Sequence, residues 1–273
     1  MAIKSFKRYE VKYLVTIQQY EIIKSELEKH MILDKHCQKT GSYMIYNIYF
    51  DTEDDAVIRH SIDKPYYKEK LRLRSYKIPA SDDNPVFLEL KKKIGGIVAK
   101  RRAIIPYSEA LEFVRTGVIP KTYNYQDNQV LCEIKDFLTR YKVNSKVFIS
   151  YERIAYFGKD DSEFRVSFDR NILTRRTQVD LSEGDFGAEL LENDRYLMEI
   201  KCAGQIPLWL CNLMSEMKIY CTSFSKYGTE YKNFRRKKNL LSTNHNVQNH
   251  LYRTNNQNES VIINALSAVK TAI

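Results

Sequence analysis

Metal-binding and nucleophilic signatures are what this 273-residue chain has least of. Its five cysteines (Cys37, Cys132, Cys202, Cys211, Cys221) are odd in number, scattered and never in CxxC spacing. That argues against a disulfide framework and a zinc site, and it points to a reducing, cytosolic compartment. The histidines, His30, His36, His60, His245 and His250, lie outside the strand-like runs, so no Ser-His or Cys-His dyad is expected. No stretch approaches the ~20 apolar residues of a membrane span, and the N-terminus is charged within a few residues; neither a spanning helix nor a signal peptide is expected. No internal repeat is visible. Positive charge, by contrast, is abundant: 44 lysines and arginines against 34 acids give a net charge of +10. The expected partners are therefore anionic, whether nucleic acid, lipid headgroups or a phosphorylated small molecule.

With 43% apolar residues the chain can bury a substantial core, as one large all-β domain or two ordinary ones. The run Tyr43-Met-Ile-Tyr-Asn-Ile-Tyr-Phe50 is dense in aromatic and β-branched residues and stops at Asp51-Thr52, as a strand does. Similar runs occupy 68–77, 86–93, 97–105, 146–156, 163–169 and 196–202. Gly95-Gly96 suits a tight hairpin between the runs at 86–93 and 97–105, which makes that pair antiparallel. Helical periodicity is confined to 17–31, 109–116, 129–141, 207–218 and 226–238. The folded unit is expected to span residues 1–240. Residues 241–273 then form a polar linker, Asn/Gln-rich over 242–258, and a short amphipathic segment at 260–272.

Side chains two apart on a strand share a face. In Lys70-Leu-Arg-Leu-Arg-Ser-Tyr76 this puts Lys70, Arg72, Arg74 and Tyr76 together, opposite Leu71 and Leu73. In Phe87-Leu-Glu-Leu-Lys-Lys-Lys93 it groups Phe87, Glu89, Lys91 and Lys93, and later strands group Tyr151 with Arg153, Arg165 with Ser167 and Asp169, and Glu199 with Lys201. A solvated sheet face is the ordinary explanation of such a pattern. Solvated faces mix signs and carry Ser, Thr, Asn and Gln, however, whereas here cations recur at two-residue spacing on strand after strand. Antiparallel strands with one charged face can close into a barrel that keeps that face inside and packs helices on the oily outside. A cationic lumen calls for an anion, and a linear phosphate chain fits both its charge and its shape. Glu199, between apolar Met198 and Ile200, is the expected metal ligand; Glu10 and Glu89 are divided between metal binding and internal ion pairs. Nucleic acid is disfavoured, because the basic residues alternate with aliphatic ones and are not interleaved with exposed stacking aromatics. The exception is the run Arg235-Arg-Lys-Lys238, read as a solvated helix end or a contact with anionic membrane.

An ordered set of short motifs resembles one family. Arg8-Tyr-Glu-Val-Lys12-Tyr13, Tyr49-Phe-Asp-Thr52, Lys70-Leu-Arg-Leu-Arg74, Glu89-Leu-Lys91, Lys100-Arg-Arg102, Tyr151-Glu-Arg153, Arg165-Val-Ser-Phe-Asp169, Glu199-Ile-Lys201 and Ser225-Lys226-Tyr227 are similar, in this order, to the vacuolar transporter chaperone (VTC) domain of the triphosphate tunnel metalloenzyme (CYTH-like) superfamily, in a stand-alone bacterial-type form. The resemblance implies an α+β, mainly antiparallel fold: an eight-stranded tunnel-like β-barrel with helices packed on the outside. It implies a polyphosphate polymerase that joins the γ-phosphate of ATP to a growing inorganic polyphosphate chain. Together with the charged faces it implies a catalytic set of Arg72, Arg74, Lys91, Arg153, Arg165 and Lys226. Lys12, Lys70, Lys93, Lys100, Arg102, Tyr151, Lys201 and Ser225 would bind the phosphates, and Glu199 would hold Mn2+ or Mg2+. Arg8 stands where the cyclase and triphosphatase branch has the first glutamate of Glu-x-Glu-x-Lys, which favours the polymerase branch, and Ser223 replaces a lysine of the eukaryotic polymerases. Coupling to a separate membrane protein is a further implication, because such polymerases pass product to a channel; Val261-Ile-Ile-Asn-Ala-Leu-Ser-Ala-Val269 docks on that protein or packs back on the barrel. A tunnel triphosphatase and a non-catalytic module binding polyphosphate or inositol phosphate are the alternatives.

Overall fold

The computed structural model describes residues 9–121 and 124–240. Arg8, the Asn/Gln-rich stretch, the segment at 260–272, His245 and His250 lie outside the described residues. The elements run β1 (Tyr9–Thr16), α1 (Ile17–His30), β2 (Met31–Leu33), β3 (Tyr43–Asp51), α2 (Ala56–Ile62), β4 (Tyr67–Ser75), β5 (Pro85–Ile94) and β6 (Ile97–Pro106). They continue with α3 (Tyr107–Thr116), α4 (Tyr125–Arg140), β7 (Asn144–Gly158), β8 (Arg165–Arg175), β9 (Ala188–Glu189), β10 (Arg195–Cys202), α5 (Leu208–Glu216) and β11 (Cys221–Thr222). A last helix, α6, covers 226–240. The chain divides into two compact units between Thr229 and Glu230.

Eight long strands form one antiparallel sheet in the order β1-β10-β8-β7-β3-β4-β5-β6, with β11 beside β1 and the short β2 and β9 added to β7 and β8. The seven strand-like runs of the sequence are all present; β1 is the eighth long strand. Gly95 and Gly96 have φ of +52° and +92° between the paired residues Ile94 and Ile97, the positive angles that a two-residue hairpin needs. Among the described residues no backbone pairing joins β6 to β1, so the sheet is not closed by hydrogen bonds. It is bridged by side chains instead: Lys91 on β5 lies 3.5 Å from Glu10 on β1, near the other end of the strand order. The sheet therefore curls until its charged faces meet.

Two apolar clusters fill the opposite face. One joins Ile48, Leu71, Leu73, Leu88 and Leu90 to Phe113 of α3 and Leu131, Ile134 and Phe137 of α4. The other joins Val15, Val166, Phe168, Met198 and Ile200 to Tyr20, Ile23 and Leu27 of α1 and Leu210 of α5. Each such buried side chain contributes roughly 1.5–3 kcal/mol. Local chemistry sets the helix ends. Thr16 and Gln19 form a reciprocal capping box on α1, and Gly117, at φ +72°, ends α3. Asn124 accepts from the Asp127 N–H at 2.7 Å, so α4 starts at Tyr125, ahead of the expected 129. Salt bridges from Lys92 and Arg101 to Glu133, each at 2.9 Å, and from Arg140 to Glu69 at 2.8 Å tie α4 to the outer face of β4 to β6. Among the described residues no helix is long and apolar enough to cross a membrane.

If the oily outer face is the core, Leu73→Ala should cost about 2–5 kcal/mol of unfolding free energy, read from the urea midpoint. A loss under about 0.5 kcal/mol, the usual size at a surface position, would contradict this assignment.

Candidate functional site: a cationic lumen

Three groups of charges are assembled on the inner face. The first is centred on Glu89 of β5, which is 1% exposed. Its Oε2 accepts from Arg72 Nε at 3.0 Å and Nη2 at 2.5 Å, and its Oε1 accepts from Arg102 Nε at 2.7 Å. Lys100 stands 3.6 Å away and Arg74 3.9 Å away. Burial pushes the Glu89 carboxyl up, but Arg72, Arg74, Lys100 and Arg102 pull harder and hold it far below the usual carboxylate range. Four cations share this one anion, which makes Glu89 an ion-pair partner rather than an available metal ligand.

Asp169 on β8, fully buried, anchors the second group. Arg153 donates to both of its oxygens, at 2.6 and 2.8 Å, and Lys226 donates to Oδ2 at 2.5 Å. Burial raises the carboxyl, and Arg153 and Lys226 bring it down to about 2. Tyr151 lies beside this group: its hydroxyl accepts from Arg74 Nη2 at 3.1 Å, and Lys226 Nζ sits 4.1 Å over its ring. Burial alone would raise the phenol, yet Arg74, Arg153 and Lys226 lower it to about 8. Lys226 is placed by its neighbour, since the Tyr227 hydroxyl donates to Asp51 Oδ2 at 2.7 Å while the same carboxylate accepts the Val57 and Ile58 N–H groups at the start of α2.

The third group is Glu10 and Glu199, on adjacent strands. Lys201 Nζ lies 2.5 Å from Glu199, Lys12 lies 3.9 Å from Glu199 and 3.5 Å from Glu10, and Lys91 lies 3.5 Å from Glu10. Burial raises the Glu199 carboxyl; Lys201, Lys12, Arg153 and Lys226 hold it well below the usual range. Among the described residues no three His, Cys, Asp or Glu side chains gather as a metal cluster. A Mg2+-like ion needs only one or two carboxylates when substrate phosphates complete its shell, so Glu199 with Glu10 beside it fits such an ion, in competition with Lys201.

Beyond these groups runs a file of lysines. Lys68 pairs with Lys93 and Lys70 with Lys91 across β4 and β5, and Lys91 pairs with Lys100 across β5 and β6. Like charges directly opposite each other destabilise a sheet. Among the described residues Lys70 has no carboxylate within ion-pair distance; burial, with Lys68, Lys91 and Lys12 beside it, pushes its ammonium down to about 7. Burial and the neighbouring Arg102, Arg74 and Arg72 push Lys100 down to about 8 against the pull of Glu89.

Of the expected site residues, Arg165 lies where Lys201 pairs with it on β10, 3.3 Å from Asp34. Ser225 has a local task, its Oγ accepting from the Gly228 N–H at 3.3 Å as a cap on α6. Four contributors were not among the expected site residues. Asp169 carried the signal, sharing the period-two face of Arg165. Asn47, which accepts from Arg74 Nε at 3.1 Å, and the Asp51–Tyr227 pair are tertiary contacts with no local pattern.

Strand order, curl and inner charge define a barrel-like, cation-lined tunnel fold. The VTC domain model matches residues 7–235, and the chain belongs to that family, which supports a function on triphosphates or polyphosphate. Similar solved structures include a putative adenylate cyclase from Bacillus halodurans (14% identity over 80% of this chain and 95% of that one, TM-score 0.48). Others are a putative adenylyl cyclase from Hippeastrum described as having a dominant triphosphatase activity (14%, 82% and 95%, 0.47) and a putative adenylate cyclase from Vibrio parahaemolyticus (9%, 84% and 99%, 0.42). No curated protein matches the chain.

Lys70 gives a signed pH dependence. An unfolded lysine keeps its proton to near 10.5, so between about 7 and that value the unfolded chain binds more protons than the folded one. The stability of the ligand-free protein should rise with pH across this window, and the cost of Lys70 is fully present below it. Lys70→Met should therefore melt higher than the parent at about pH 6 in phosphate-free buffer, with the difference fading towards about pH 10. Equal melting temperatures at the lower pH would show that Lys70 carries no penalty.

Proposed function

We propose that the protein is an ATP-dependent polyphosphate polymerase. The observation that carries this reading is the length of the cationic file. From Lys68 and Lys93 to Arg74 it covers about six residues of strand, roughly 20 Å. That is longer than the three phosphoryl groups of a nucleotide need, and its unneutralised lysines at one end suit the continuation of a phosphate chain.

In the proposed reaction a terminal oxygen of the chain attacks the γ-phosphorus of ATP, the new P–O bond forms, the bond from the γ-phosphorus to the bridging oxygen breaks, and ADP leaves. Such transfer depends on charge neutralisation and in-line positioning more than on a protein nucleophile. Arg72, Arg74 and Arg153 present forks already oriented by Glu89, Asn47, Tyr151 and Asp169, so little reorganisation accompanies charge development. Lys91, Arg165 and Lys226 complete the catalytic set. Lys12, Lys70, Lys93, Lys100, Arg102, Tyr151, Lys201 and Ser225 hold the remaining phosphates. Glu199, assisted by Glu10, would hold Mn2+ or Mg2+, which when bound neutralises phosphate oxygens. A separate membrane protein would receive the product.

Purified protein incubated with ATP and Mn2+ should produce long phosphate chains on a gel, with ADP released. Arg72→Ala should lose at least about 100-fold in rate and keep its fold, because Arg74, Arg102 and Lys100 still neutralise Glu89. Free phosphate without polymer would replace this reading with a triphosphatase, and phosphate binding without turnover would replace it with a sensor.

A further inference from the structure

The tip of the β5–β6 hairpin lies beyond the lumen and is apolar. Ile94 and Ile97 face each other across the Gly95-Gly96 turn and are 42% and 40% exposed; Tyr66, immediately before β4, is 76% exposed. Tyr66 belongs to the same tip. Its carbonyl accepts from the Gly95 N–H at 2.8 Å, and its ring lies so close to Gly95 that a Cβ there would come within 2.9 Å. An apolar cluster held out into solvent is a contact surface in want of a partner.

The charges around it narrow the partner's chemistry. Lys64 and Lys93 are exposed, and Lys93 sits opposite Lys68, whose Nζ donates to the Ser61 carbonyl at 2.9 Å. Burial, then Lys93 and Lys64, push the Lys68 ammonium down, which places the three lysines within electrostatic reach of one another. Lys92 is occupied by Glu133 on the outer face. An exposed apolar tip with lysines beside it matches a surface that is anionic outside and oily just beneath. A phosphate chain has no use for the isoleucines.

We propose that this tip docks on an anionic lipid bilayer, with Ile94, Ile97 and Tyr66 entering the headgroup layer and Lys64, Lys68 and Lys93 meeting the lipid anions. Apolar insertion and electrostatic attraction add in such contacts, and tyrosine suits the interface because one end is oily and the other polar. Lys93 and Lys68 lie one alternation outward from Lys91 and Lys70, so the lysine end of the lumen would face the membrane. The lipid contact does not depend on the polymerase reading.

The 273-residue chain, without nucleotide, is to be co-sedimented with vesicles of phosphatidylcholine alone and of phosphatidylcholine with phosphatidylserine. Association is expected with the serine-containing vesicles and should weaken with salt. Ile94→Asp with Ile97→Asp should weaken it by at least about tenfold, and Lys64→Glu by several-fold. The double variant should keep the parent's melting temperature and tripolyphosphate affinity; if it melts early, Ile94→Ser with Ile97→Ser takes its place, with a clear weakening still expected. The proposal is overturned if serine-containing vesicles are not bound, if neutral vesicles bind equally well, or if the tip variants bind like the parent, as attachment through the basic stretch at 235–238 would produce. Because vesicle binding is read without nucleotide and turnover without lipid, the two readings fail separately.

Discussion

Repulsion among cations held inside a curled sheet is the constraint on which the rest of this structure depends. Among the described residues four cations share Glu89, three share Glu10 and Glu199, two share Asp169, and Lys70 has no carboxylate within ion-pair distance. In a medium less polar than water these charges repel strongly, and the depressed ammonium groups of Lys70 and Lys100 are the local expression of that repulsion. What opposes it is the outer shell. Two apolar clusters and the ion pairs that tie α4 to the sheet hold the strands in register, so the oily face provides the stability that the charged face consumes.

This division of labour explains why so much was legible in the sequence and why the remainder was not. Period-two alternation in 68–77 and 86–93 directly encodes which face is oily, and the observed clusters contain the expected Leu71, Leu73, Leu88 and Leu90. The strand at Tyr9–Thr16 is weaker in pattern because Tyr9 is exposed while Tyr13 and Val15 are buried. The short helix α2 has no side-chain cap from Asp55; its first N–H donates to Thr52 Oγ1 and its next two to Asp51, and that carboxylate also holds Tyr227, 176 residues further on. No local window contains such a tie. The expected eight-stranded barrel is met as a tunnel-like curl whose sheet is not closed: among the described residues the join is an ion pair between Glu10 and Lys91 rather than a continuous ladder, and side-chain bridges leave no periodic trace.

The carboxylates sort the cations by chemistry. Arginines sit where acids and amides fix them: Arg72 and Arg102 on Glu89, Arg153 on Asp169, and Arg74 between Asn47 and Tyr151. A guanidinium so held is a fixed fork of donors that keeps its charge at any relevant pH. Among the described residues the lysines of the file, Lys68, Lys70 and Lys93, have no carboxylate in ion-pair reach, Lys68 meeting only the Ser61 carbonyl, and they end in compact ammonium groups on flexible stems.

That arrangement bears on how one lumen could both react with and release a polymer. A transferring phosphoryl group benefits from donors fixed before the reaction starts, whereas a chain that must advance by one phosphate after each transfer benefits from charges that do not lock it in register. On the proposed reading, carboxylate-braced arginines meet the first need, and unbraced lysines, compact ammonium groups on flexible stems, meet the second. Extra acids along the file would relieve the repulsion of the empty protein but would also compete with phosphate for the same lysines. On the proposed reading, the repulsion within the lumen and the passage of a phosphate chain would therefore have one physical origin: the shortage of carboxylates beside Lys68 and Lys70.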